Sequence, residues 1–134
     1  MNKISKLVKF CTLFVALSFF SATTSFGQTT EKNVTIIELA QTPGEFTTQE
    51  LNLSAGKYQF RIVNQNVDHE LGFVIQKAED KGKDVMKNHL ENSFASKTVK
   101  KGEAAYTGII DLKKGQYVYI CPLNPTPHYN INVK

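Results

Sequence analysis

Short segments in which apolar or aromatic side chains recur at every second position constrain this 134-residue chain more than any other feature. Lys57 to Val63 (KYQFRIV) shows it most cleanly, with Tyr58, Phe60 and Ile62 on one face and polar residues on the other. Asn33 to Leu39, Glu50 to Leu53, Leu71 to Gln76, Ala104 to Ile110, Gln116 to Cys121 (QYVYIC) and Tyr129 to Val133 (YNINV) follow the same pattern. Period-two patterning rich in aromatic and β-branched residues predicts half-buried strands. This many short strands separated by turn residues predicts an all-β sandwich or barrel.

Two further patterns refine this. Leu53, Gly56, Tyr58 and Phe60 have the same spacing as Leu112, Gly115, Tyr117 and Tyr119, a weak internal echo of a turn feeding a strand with inward aromatics. Any two hairpin-fed strands look somewhat alike, so the echo alone does not establish a repeat. Lys81 to Phe94 departs from the strand pattern, with Val85, Met86, Leu90 and Phe94 at helical spacing, and reads as a short amphipathic helix or loop inserted between strands. Met86 and His89 fall in it and read as surface or packing residues.

The amino terminus reads as a secretory signal. Lys3, Lys6 and Lys9 precede an uncharged apolar run from Phe10 to Phe20, followed by small and polar residues up to Gly27. The run is shorter than the roughly 20 residues a membrane-spanning helix needs. Cys11 lies near the start of the run, which argues against a lipoprotein anchor. The expected division is therefore a signal peptide at 1–27 and one domain at 28–134, exported across the inner membrane to the periplasm or beyond. The formal charge of +4 includes the three leader lysines, so basic and acidic side chains nearly balance in the remainder. That balance leaves no basic stripe for nucleic acid. No second long apolar run is present, so the mature form is expected to have no membrane association.

Removal of the leader leaves Cys121 as the single cysteine. Exported proteins meet an oxidising compartment in which cysteines normally pair, so a lone thiol calls for burial, sharing between chains, or a bound group. Cys121 ends a strand and His128 follows within the same loop, Tyr117 to Val133 (YVYICPLNPTPHYNINV). A second histidine, His69, follows a strand and a turn in Val63 to Phe73 (VNQNVDHELGF). One thiolate with two imidazoles suits copper or zinc, and a trigonal His₂Cys set is the mark of electron-transfer copper. Pro122, Pro125 and Pro127 stiffen the loop by fixing φ and, with Leu123, give that end an apolar surface suited to a redox partner.

These residues carry a resemblance to the cupredoxins, the small blue-copper proteins, over essentially the whole mature chain. Asn64, His69 and Phe73 match one family motif, and Tyr119, Cys121, Pro127 and His128 match the other. The resemblance implies a cupredoxin-like Greek-key β-sandwich with a short helical insertion. It also implies one copper ion cycling between Cu(I) and Cu(II), with His69, Cys121 and His128 as equatorial ligands and Asn64 as a neighbour only. The axial Met usual in the family is absent: Ile131, Asn132 and Val133 stand there. The weak axial candidates are then Ile131, which implies no axial bond, and Asn132, through its oxygen; alternatively His128 lies nearer the axial place.

The competing reading of Cys121 is a buried thiol packed as a small hydrophobe. His69-Glu70 lacks a second histidine at helical spacing, so a zinc-protease motif is excluded. A Cys121/His128 nucleophilic pair has no evident orienting carboxylate, and prolines occupy the loop where oxyanion donors are needed, so no enzyme is expected. Three functions stay open: a one-electron carrier between protein redox partners, a copper storage, delivery or tolerance protein, and a metal-free binding module.

Overall fold

The computed structural model describes residues 33–134, and within them alternating side chains close two sheets over one core. The expected signal peptide, its cut site and Cys11 lie outside the described residues. The strands are β1 (Thr35–Thr42), β2 (Glu45–Phe46), β3 (Glu50–Leu53), β4 (Gly56–Asn64), β5 (Val74–Lys77), β6 (Ala104–Tyr106), β7 (Ile110–Leu112), β8 (Gly115–Ile120) and β9 (Tyr129–Val133). One sheet runs β2-β1-β4-β6, with β7 also paired to β4; the other runs β3-β9-β8-β5. β1 lies parallel to β4 and β3 parallel to β9, the remaining pairs being antiparallel. The chain passes repeatedly from sheet to sheet, the Greek-key arrangement of a sandwich.

The alternation sets which faces meet. β4 buries Tyr58, Phe60, Ile62 and Asn64 at every second position. On β8 and β9 the inward residues are Tyr117, Tyr119, Tyr129, Ile131 and Val133. Phe46, from the two-residue β2 that the sequence pattern did not predict, meets Tyr119 edge-on at 5.0 Å and Tyr129 at 5.6 Å between ring centroids. Tyr119 and Tyr129 stack at 5.4 Å. Each such pair contributes about 0.5–1.5 kcal/mol beyond its buried area. The internal echo has a structural counterpart, because Tyr58 and Tyr117 each donate a hydroxyl hydrogen bond to the carbonyl four residues upstream, at Ser54 (2.6 Å) and Lys113 (2.8 Å).

Two expectations are corrected. The predicted strand Ala104 to Ile110 is two strands, separated where Thr107 bridges Ala95 and donates its amide to Phe60 O. Residues 81–94 form turns, the loop alternative, and the one helical element among the described residues is the 3₁₀ turn Ala78–Asp80 just before them. Local and tertiary contacts prevent a helix. Gly82 and Asn92 have positive φ (82° and 63°), and the Asp84 carboxylate accepts the Met86 amide. The Leu90 amide bonds Ile75 O on the free edge of β5 (2.8 Å) instead of a carbonyl within its own turn. The segment thereby shields an edge strand that would otherwise be open to pairing.

At one end of the sandwich the inward positions turn polar. Gln41, Asn64 and Cys121 continue the apolar alternation of β1, β4 and β8, and all three are buried.

Candidate functional site

That polar end is held by two asparagines. Asn64, the last residue of β4, donates its amide to the carbonyls of Val67 (3.1 Å), His69 (3.0 Å) and Val99 (3.1 Å) and accepts the Val67 amide (2.8 Å). Asn124, in the loop after β8, donates to Gln41 Oε1 (3.3 Å) and Thr42 O (3.2 Å) and accepts the Gly44 amide (3.1 Å). Gln41 in turn donates to Gly72 O at 2.9 Å. The proline-rich loop is thus tied to the β1–β2 hairpin and to the chain entering β5 by buried polar groups that satisfy one another. Such a network holds a loop in one conformation, because leaving any member unpaired is costly.

The thiol sits inside this frame. Cys121 is 4% exposed, and its Sγ accepts backbone hydrogen bonds from Asn124 (3.1 Å) and Gly72 (3.3 Å). Its own amide donates to Thr126 Oγ1 at 3.2 Å. Gly72 allows a close approach: a Cβ there would lie 3.3 Å and 3.4 Å from the Pro122 ring, which would have to give by a few tenths of an ångström. The residue before Gly72 is Leu71, fully buried, belonging to the same apolar cluster as Cys121 and paired with Val99 across a β-bridge.

The imidazoles belong to the same two loops as Gly72 and Asn124. His69 is exposed at a bend, with Nδ1 3.0 Å from Glu70 O. His128 is half-buried just ahead of β9, and burial, with the Lys81 charge second, lowers its pKa from the ordinary histidine value. Ile131 is fully buried in the core, and Asn132 donates to Glu50 Oε1 (2.7 Å) and Asn52 Oδ1 (3.2 Å) of β3. Among the described residues no three of His, Cys, Asp and Glu come close enough to hold a metal ion. Neither does the thiol contact a general base, since its hydrogen-bond partners are two backbone amides. His89 and Met86 lie on the surface as expected, His89 packing edge-on against Phe94.

Gln41, Gly72 and Asn124 are the residues the sequence reading missed. Their signal was present but weak: Gln41 stands two residues after Leu39 in the buried phase of β1, and Asn124 precedes Pro125 in a turn-rich loop.

Two mixed sheets in this order, with the one cysteine of the described residues just after the penultimate strand, define a cupredoxin-fold protein. Solved structures agree on the fold. The chain is similar to auracyanin B (TM-score 0.59, 20% identity, covering 77% of this chain and 90% of that one). It is similar to auracyanin A, a "blue" copper protein from the green thermophilic photosynthetic bacterium Chloroflexus aurantiacus (0.59, 18%, 76% and 100%). It is also similar to an azurin of the obligate methylotroph Methylomonas sp. strain J (0.54, 12%, 75% and 98%). No family model and no curated protein matches the sequence.

Proposed function

We propose that this protein is an exported, non-catalytic cupredoxin-fold binding module that works through the Cys121 end without a resident metal. One observation carries this reading: among the described residues no three of His, Cys, Asp and Glu are placed to hold a metal ion, and His69 is exposed with Nδ1 3.0 Å from Glu70 O. Copper needs the thiolate and imidazoles to converge on one point. Asn64 holds the loop that carries His69 through that residue's own carbonyl. What the loop end offers instead is a rigid, exposed apolar edge at Pro122, Leu123, Pro125 and Pro127.

A second reading is favoured by the two amides on Sγ and by the fold. Amide donors stabilise a thiolate, and auracyanin A, of like fold, is a blue copper protein. On this reading His69, Cys121 and His128 bind one copper, and the protein is a one-electron carrier or a copper store.

Copper titration of the exported form separates the two. Bound metal is counted after gel filtration, the visible spectrum is recorded, and Cys121→Ser is run alongside. The first reading expects less than stoichiometric copper and no thiolate-to-copper band, with the variant unchanged. One tightly held copper, with an intense visible band that the variant lacks, selects the second.

A further inference from the structure

The outer sides of β1 and β5 are treated differently. On β5, Ile75 O accepts the Leu90 amide (2.8 Å) and the Ser93 hydroxyl (3.3 Å), so the 81–94 segment covers that strand. β1 is twice as long, and β2 pairs with it only at Gln41 and Thr42. Ahead of Ala40, the side of β1 away from β4 meets no strand among the described residues.

Successive residues of a strand turn their amide and carbonyl to opposite sides. Gln41 O faces β4, accepting the Gln65 amide (3.0 Å), and Ala40 O faces away, accepting the Thr47 amide (2.9 Å). By that alternation Ile36 and Glu38 aim amide and carbonyl away from β4. Among the described residues these four groups have no hydrogen-bond partner. The usual safeguards of an open edge, lysine, proline or a bulge, are missing from Thr35 to Leu39. Its one charge, Glu38, lies 2.5 Å from Arg61 of β4, and Ile36, on the same face, is 57% exposed.

From this we infer that β1 pairs, antiparallel and about a two-fold axis at Ile36, with β1 of a second copy of the chain. An open strand edge is a template for another strand, and this one is complementary to itself. Ile36 lies opposite Ile36 of the second copy and Glu38 opposite Val34, so each outward amide meets a carbonyl. The same step covers the exposed Ile36 side chains. The neighbouring registers are worse. An axis at Glu38 sets two carboxylates face to face. An axis at Ile37 brings Val34 against Ala40, whose carbonyl Thr47 already holds. Gln41, which Asn124 ties to the Cys121 loop, is roughly 17 Å along the strand from Ile36. The pairing therefore leaves the Cys121 end open and is independent of whether that end holds a metal.

The test is sedimentation equilibrium with amide hydrogen exchange on the exported protein, from about 10 μM to about 1 mM. The mass should rise with concentration from one chain toward two. Exchange at Ile36 and Glu38 should slow in step, while Leu90 is unaffected. Ile36→Lys, at an exposed position, sets two ammonium groups opposite each other and should weaken association by about tenfold or more. Its far-ultraviolet spectrum should match that of the parent. A single-chain mass throughout overturns the inference, and so does a dimer that Ile36→Lys leaves intact. Protection of the two amides that does not change with concentration also overturns it, and assigns the edge to the protein's own chain.

Discussion

Two loops at the same end of the sandwich are built on one plan and present opposite chemistry. Each is pinned by a buried asparagine whose side chain bonds backbone groups: Asn64 for the loop that carries His69, and Asn124 for the loop that carries Cys121. In the first loop the pinned carbonyl belongs to His69, and the imidazole is left exposed. In the second the asparagine's own amide reaches the thiol, which is buried. Donors matched in sequence thus stand in different surroundings, one exposed and one buried. What decides is which way each pinned loop turns its side chain.

The difference is open to attack, beginning where the largest effect is expected. Asn64→Ala removes a donor to three carbonyls and an acceptor for one amide, and should cost about 3 kcal/mol in urea unfolding. A loss under about 1 kcal/mol means that water replaces the side chain freely and the first loop is not pinned as described. Asn124→Ala should cost about 2 kcal/mol. It should also speed attack on Cys121 by a thiol-reactive disulfide, since the loop that covers the sulfur loses its tie to Gln41 and Thr42. Unchanged reactivity contradicts the role given to that network. Gly72→Ala pushes a methyl against the Pro122 ring and should lower stability by about 1 kcal/mol; a neutral result shows that the ring yields. Smallest is the His128 titration. Burial and Lys81 lower its pKa, so the unfolded chain binds the proton more readily. Its contribution to stability is complete above the ordinary histidine value and is lost as pH falls through the folded value. Lys81→Ala should move the folded pKa part of the way back up, as read by ring-proton NMR.

Much of the fold was legible because burial imposes period two. β3 and β9 have the bounds the alternation predicted, and β4 and β8 are displaced by one residue at each end. β2 was not legible, since two residues carry no period, and the 81–94 segment misled because helical spacing was overridden by the Leu90 bond to β5. At the site, Cys121 was legible as the last inward residue of its strand. The His69 orientation was not, because it depends on an asparagine that pairs through the backbone and leaves no pattern in side-chain type. Gln41 and Asn124 went unread for the same reason: buried amides look like surface amides until the register is known.

The convergence of sulfur and imidazoles is tested most directly by following the ring nitrogens of His69 and His128 while Cu(I), which is diamagnetic, is added to the isotope-labelled protein. The account predicts that the two rings and the Gly72 and Asn124 amides do not titrate together at one equivalent. Coincident shifts of both rings and both amides, saturating at one copper per chain, contradict it and restore a copper centre.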